Sequence, residues 1–383
     1  MRFQDIPGLK LVKKQLSRAV QDQHIAHAQL FQGPVGGAQM AMALAFVSYL
    51  FCTQRDGDDA CGTCPSCQKV HKGIHPDLLF VFPSITTKKV KDAESDAFLP
   101  EWRNFLLESP YRSLPDWLLY LGAEGNRQGN IPVEETRKLV QKISLKPFEA
   151  PFKVVFLWNA ESLNASSGNA LLKTLEEPPS STLFLLICSD PQKLLTTIIS
   201  RTQRIQVGTV EEEALAAYLV SKTEIDIEKA QRLAMSCEGN ISWALSKAAN
   251  ENLSMATWFA EWMRAVYSKN LTKLSHMADD FDGLAKEEQK GILEYALHMF
   301  RQCLYQITGT PELIKSLEKE RAFIANFSKT LHQDAISRMS EKVSEVYYHL
   351  ERNARAKMVH LDLSLQLIRL FHAKNYIHFY CEG

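Results

Sequence analysis

Ala28-Gln29-Leu30-Phe31-Gln32-Gly33-Pro34-Val35-Gly36-Gly37-Ala38-Gln39-Met40 passes from apolar residues, through a glycine-rich turn, into a second apolar run. Ala28 to Phe31 has the character of a short buried strand, Gly33 to Gly37 that of a tight turn, and Met40 to Cys52 that of a buried helix. Strand, glycine turn and helix in this order open a parallel α/β fold, because a parallel strand must be followed by a crossover that packs back on the sheet. At 13 residues, with Ser48 and Tyr49 inside it, the run from Met40 to Cys52 is too short for a membrane span, which needs ~20 apolar residues.

Moving outward, Leu78 to Phe82, Val154 to Trp158 and Leu183 to Cys188 are short continuous apolar runs, as expected of parallel strands covered on both faces. Helices are expected between them. Leu9 to Val20 carries Leu11, Val12, Leu16 and Val20 on one side, Val133 to Ile143 follows Pro132, and Asn169 to Glu177 stops at Pro178-Pro179. Residues 84–130, with Pro100, Pro110, Pro115, Gly122, Gly125 and Gly129, have the composition of an insertion loop holding one helix from Trp102 to Glu108. From residue 209 the strand signals end. Glu211 to Lys222, Ile227 to Cys237 and Ile241 to Ala249 are three short helical segments, and beyond residue 250 the pattern is entirely helical. There Leu293, Leu297, Phe300 and Leu304 form one stripe, and Leu361, Leu365, Ile368 and Phe371 another. The organisation expected is an α/β core with a parallel sheet (1–208), a small helical lid (209–250) and an all-α C-terminal domain (251–383).

Composition supports a globular protein and removes several functions. Hydrophobic residues make up 45% of the 383, while 44 Lys and Arg balance 44 Asp and Glu. A global basic field for nucleic acid is therefore absent. Met1 to Pro7 lacks the apolar segment of a secretory signal, so an intracellular, cytoplasmic protein with reduced thiols and no membrane partner is expected.

Four of the eight cysteines, Cys52, Cys61, Cys64 and Cys67, fall in one 16-residue window. Cys61, Cys64 and Cys67 are spaced by two residues each, and Gly62, Thr63, Pro65 and Ser66 allow tight turns between them. Four thiolates around one tetrahedral Zn²⁺ make a closed structural site. The alternatives are two disulfides, disfavoured in a reducing compartment, and an iron–sulfur cluster, for which no redox partner motif appears. His71 and His75 lie near, and with four cysteines at hand both are expected as surface residues.

A phosphate-binding loop of the pattern G-x-x-x-x-G-K-[ST] uses its Lys on phosphate oxygens and its hydroxyl on Mg²⁺. Aligned on Gly33, with Pro34, Gly36 and Gly37 inside the loop, this chain has Gln39 and Met40 at those two positions. Neither side chain can do the work. The acidic pair that holds magnesium at the end of a buried strand would fall at Trp158 and Asn159, and it is missing too. The competing explanation for the glycines alone is an ordinary strand-to-helix turn.

Asn169-Ala170-Leu171-Leu172-Lys173-Thr174-Leu175-Glu176-Glu177-Pro178-Pro179, with Ser200-Arg201 downstream, closely resembles the clamp loader subunits of bacterial DNA polymerase III, the gamma/tau and delta-prime family. His27 to Pro34 and the cysteine cluster fit as well, and Asn353-Ala354 resembles the family's collar helix. With a degenerate nucleotide site, the delta-prime branch is nearer. The resemblance implies an AAA+ core carrying the four-cysteine zinc module (52–67), a lid and a collar that assembles a five-subunit ring with gamma/tau-like and delta-like partners. That ring opens the sliding clamp and places it on primer-template DNA. It implies no intrinsic ATPase and no tightly bound ATP. Arg201, beside Ser200, is implied as an arginine finger acting on a neighbour's ATP, against the default of a solvated Arg near a strand end; Thr202 departs from the family's Ser-Arg-Cys. In ATP-binding relatives a lid Arg touches the nucleotide, and Ser242 stands at that position. The rival readings are an ATP-hydrolysing gamma/tau-like subunit and a zinc-dependent nucleic-acid-binding module.

Overall fold

The computed structural model describes residues 1–87, 90–91, 93–123, 129–249, 255–284, 286–314, 318–352 and 354–372. Gly125, Asn353 and Cys381 lie outside the described residues. The chain divides into two compact units, Met1–Ala249 and Asn250–Gly383.

The first unit is built on a five-stranded sheet of β1 (Ala28–Gln32), β2 (Leu78–Val81), β3 (Lys153–Trp158), β4 (Thr182–Cys188) and β5 (Gln203–Gln206), ordered β2-β3-β4-β1-β5. Every pairing is parallel. All residues of β3 and β4 are buried, the physical reason their sequences are continuous apolar runs. β5 has no counterpart in the sequence-based expectation. It is an edge strand in which only Ile205 is buried, so no apolar run announces it.

Because side chains alternate across a strand, the sheet feeds two cores. Phe156, Leu183, Leu185 and Ile187 pack on one side with α2 (Gln39–Phe51), which follows α1 (Lys10–Gln21); every residue of α2 is buried. Leu11 departs from the expected apolar side of α1, being 86% exposed, while Leu16 and Val20 are buried. α3 (Pro65–His71) follows the cysteine loop, with Cys64 as its N-cap.

The described residues of 84–130 are not the expected loop with one helix. Ser95–Phe98 forms a 3₁₀ turn, followed by α4 (Leu99–Glu108) and α5 (Leu114–Tyr120). Trp102, Phe105 and Trp117 are fully buried. Trp102 stacks on Phe82 at 4.3 Å and lies 5.0 Å from Trp158 at the end of β3, while Trp117 Nε1 donates to Pro83 O at 2.8 Å. Further on, Tyr111 meets Tyr218 edge-on at 6.0 Å. Proline and glycine content misled here because aromatic packing, invisible in local composition, orders the segment.

On the other side of the sheet, Val155, Leu157, Phe184 and Leu186 pack against α6 (Val133–Ile143) and α7 (Ala165–Glu176) through Leu139, Ile143, Leu171 and Leu175. α7 begins one turn before the expected Asn169, because Asn164 Oδ1 accepts from Ser167 N at 2.8 Å and caps the helix there. The short α8 (Thr196–Ile199) lies against α7 through Leu175, Leu195 and Ile198. α9 (Glu212–Lys222), α10 (Ile227–Ser236) and α11 (Ile241–Ala249) complete this unit.

The second unit is helical among its described residues: α12 (Met255–Tyr267), α13 (Leu271–Gly283), α14 (Lys286–Ile307), α15 (Glu318–Ser328), α16 (Gln333–Glu351) and α17 (Ala356–His372). Leu293 and Phe300 of the expected α14 stripe are buried. The α17 stripe is different: Leu363 and Leu367 are fully buried with His360 and Ser364, whereas Leu365 is 39% exposed. The buried polar pair His360 and Ser364 hides the period from a search for Leu alone.

His360 is unusual in having no hydrogen-bond partner for either ring nitrogen. Its ring sits between Phe281 at 4.6 Å, Trp262 at 4.9 Å and Trp258 at 5.2 Å. Burial pushes its pKa down to about 3. An unfolded chain takes up this proton near pH 6.5 and the folded one does not, so stability falls as pH drops from ~6.5 towards 3. Urea unfolding of the full chain, followed by hydrogen exchange in α12 and α17, should lose about 2 kcal/mol more between pH 7 and pH 5 than His360→Leu does. Equal losses in the two proteins would show that His360 is not held neutral.

Candidate functional site

The glycine turn joins β1 to α2 as expected, and its interior is filled. Gln39, the first residue of α2, folds its side chain back into the turn, where Nε2 donates to Pro34 O at 2.9 Å and to Ser189 Oγ at 3.1 Å. Its Oε1 is so close that a Cβ on either Gly33 or Gly37 would lie 2.9 Å from it. Gly36 has φ +72°, and a Cβ there would lie 2.2 Å from Asn240 Oδ1. Ser242 N donates to Gly36 O at 3.1 Å, so the first turn of α11 closes directly on the loop. Met40 is buried and faces no solvent. A neutral carboxamide thus stands inside the loop, where a phosphate loop would offer a Lys and open backbone amides.

At the sheet's C-terminal edge Trp158 is buried among the aromatic rings of α4. Asn159 adopts a left-handed φ of 54° and donates from Nδ2 to Ser162 Oγ at 2.7 Å. The nearby carboxylate, Glu161, is already engaged. Its Oε1 accepts from Ser189 N at 2.9 Å and Asp190 N at 3.2 Å, fixing the loop after β4. Gln39, Ser189 and Glu161 therefore link the glycine turn to β3 and β4. Ser189, Asn240 and Glu161 escaped the sequence reading, since each acts through a contact made only on folding.

Ser200 and Arg201 stand immediately after α8. Ser200 is exposed and donates from Oγ to Thr197 O at 3.1 Å. The Arg201 guanidinium is about one third exposed. Its Nη1 donates to Thr197 O at 3.0 Å, while Nε and Nη2 both turn to the carboxylate of Glu176 at the end of α7.

Cys52, Cys61, Cys64 and Cys67 come together, each offering a sulfur within 4.8 Å of the others. Cys52 and Cys61 Sγ are 3.6 Å apart, far beyond the ~2.05 Å of a disulfide. That separation matches the edge of a tetrahedron with ~2.3 Å metal–sulfur bonds. Backbone N–H groups of Cys61 and Cys64 point at Cys52 Sγ and Cys61 Sγ, both at 3.3 Å, as they would to a thiolate. Burial raises the Cys64 thiol, but the N–H of Cys67 and the surrounding Thr53 outweigh it and bring the pKa down to about 6. Asp59 ties the module to the N-terminus by accepting from Phe3 N and Gln4 N, both at 2.9 Å. The donor set fits one tetrahedral ion.

The two neighbouring histidines differ. His71 is exposed, but His75 is only 2% exposed, contrary to expectation. It packs on Phe51 at 4.4 Å and places Nε2 3.2 Å from Glu149 Oε1. Beside it the buried Asp77 carboxylate accepts from Phe148, Glu149 and Ala150 N at 2.6, 2.8 and 2.8 Å. Burial alone would raise the Asp77 carboxyl, and these three N–H donors hold it below its ordinary value instead. His75 thus serves packing around this loop, and its burial lies outside the metal cluster.

The family profile "DNA polymerase III, delta subunit" matches residues 8–211, more than half of the 383-residue chain. The chain belongs to the DNA polymerase III clamp loader family. Within this clamp loader family, similarity extends to both branches. The chain is 33% identical to DNA polymerase III subunit delta' of Yersinia pestis over 175 residues, 46% of this chain and 39% of that one. To the delta' subunit of Bacillus subtilis it is 26% identical over 243 residues, covering 63% of this chain and 60% of that relative. To the tau/gamma subunit of Haemophilus influenzae it is 28% identical over 249 residues, 64% of this chain but only 30% of that one. The chain therefore spans well under two thirds of the length of the first curated relatives that it matches. The parallel sheet, the glycine turn and Ser200-Arg201 all fall inside the residues that define the family. Among the described residues no helix is long and apolar enough to cross a membrane.

Proposed function

We propose that this chain is a delta-prime-like subunit of the DNA polymerase III clamp loader, which scaffolds the loader ring and does not hydrolyse ATP itself. The carrying observation is the side chain of Gln39 inside the glycine turn, hydrogen-bonded to Pro34 O and Ser189 Oγ. A γ-phosphate would need that space, a cation in place of the carboxamide, and an acidic pair in place of Trp158 and Asn159. Residues 1–208 act as the AAA+ core, 209–250 as the lid and 251–383 as the collar. Partners are gamma/tau-like and delta-like subunits and, through the assembled ring, the sliding clamp and primer-template DNA in the cytoplasm. Arg201 is the group this chain offers to a neighbour's ATP.

The isolated 383-residue chain should show weak ATP binding or none in equilibrium dialysis. The rival reading, an ATP-hydrolysing gamma/tau-like subunit, requires micromolar binding, and that result would replace the present one. The four-cysteine cluster is proposed to hold structural Zn²⁺. Metal analysis under reducing conditions should find about one zinc per chain. Chelation should lower Tm by several degrees, because a closed site contributes to folding. Protein holding much less than about one zinc contradicts the assignment.

A further inference from the structure

We propose that Glu176 is the positioning residue of Arg201, setting the guanidinium at the angle at which it reaches a nucleoside triphosphate bound by a neighbouring subunit; this rests on the proposed role of Arg201. Three observations carry it. First, Glu176 closes α7, where a carboxylate is opposed by the helix dipole and a nearby cation offsets that repulsion. Arg201 supplies that cation, with Nε and Nη2 both turned to Glu176.

Second, both elements are rigidly joined behind the pair. Leu175, Leu195 and Ile198 share one core, and a Cβ on Gly168 of α7 would lie 2.5 Å from Leu195 Cδ1, so the helices are in close contact. His27 Nε2 lies 2.9 Å from Leu175 O, fixing the last turn of α7 from β1's side. A carboxylate on so fixed a base holds its partner in one direction.

Third, the guanidinium is held along one side only. Nε and Nη2 are taken by Glu176, and Nη1 donates to Thr197 O at 3.0 Å and to Ser200 Oγ at 3.5 Å, which leaves the second N–H of Nη2 without a partner among the described residues. The neighbouring carboxylate, Glu177, makes no ion pair among the described residues and provides an internal control.

The test uses the assembled loader with primer-template DNA, measuring ATPase turnover against ATP concentration. Glu176→Gln should lower kcat about fivefold with little change in KM, the scale set by the small coupling of an exposed ion pair. Glu176→Asp should restore part of the loss, and Glu177→Gln should behave as wild type. In Arg201→Ala the further change Glu176→Gln should have no effect. If Arg201→Ala alone leaves turnover unchanged, the role of Arg201 fails and this inference with it. If Arg201→Ala is slow but Glu176→Gln is as fast as wild type or faster, only the positioning role is overturned, the faster case marking Glu176 as a clasp that holds the arginine back. A rise in KM with kcat preserved would likewise overturn it.

Discussion

Replacing Arg201 by Ala is expected to slow the DNA-stimulated ATPase of the assembled loader by about a thousandfold, while the ring still assembles. A guanidinium supplied in trans stabilises charge that develops on the transferring phosphoryl group, and in GTPases such a group contributes ~10³–10⁵ in rate. At about 1.4 kcal/mol per factor of ten, a thousandfold loss corresponds to about 4 kcal/mol of transition-state stabilisation. The folded chain itself loses little. Arg201 is partly exposed and its ion pair with Glu176 is on the surface, where such pairs contribute ~0–1 kcal/mol. The two scales differ enough to separate catalysis from stability in a single variant. Arg201→Lys should recover only a minor part, since an ammonium keeps the charge and loses the planar fork. Wild-type turnover in Arg201→Ala would remove the arginine from the mechanism.

Trp102→Ala should destabilise the first unit by about 3–5 kcal/mol, the range for emptying a buried aromatic site. Trp102 is fully buried and touches Phe80, Phe82, Phe105, Trp117 and Trp158. Those rings come from β2, the segment after it, α4, α5 and β3, so no single element can relax to fill the hole. Its Nε1 has no hydrogen-bond partner, so the cost is one of packing rather than of a lost bond. Trp102→Phe, which also removes that buried N–H, should cost much less. For a protein whose net stability is ~5–15 kcal/mol, the Ala variant forfeits a large fraction. Urea unfolding of the full chain measures it. A change below about 1 kcal/mol would mean that α4 and α5 are an appendage and not part of the core.

Legibility in the sequence followed burial. β3 and β4 were visible because both faces of each are covered, and all but the first residue of each, Lys153 and Thr182, are apolar. β5 was not, because its edge position leaves Gln203, Arg204 and Gln206 exposed. The α17 stripe was missed for a related reason: two of its buried positions, His360 and Ser364, are polar. At the glycine turn the residue types were read from sequence, and the missing Lys and acidic pair were visible there. That Gln39 turns inward and fills the loop was not, since it depends on Ser189, 150 residues away.

By itself, the sequence determined the parallel α/β class, the glycine turn between β1 and α2, and the gathering of four cysteines within a short segment. Each is set by local chemistry: apolar runs, backbone freedom at glycine and short spacing. Only the tertiary structure decided that Trp102, Phe105 and Trp117 pack the described part of 84–130 into an aromatic cluster, that His75 and His360 are buried, and that Glu176 meets Arg201. Those depend on groups from about 20 residues apart, as with Phe82 and Trp102, to more than 100 apart, as with Trp258 and His360, brought within contact. Spacing along a chain carries no record of such pairings until burial and charge compensation select them.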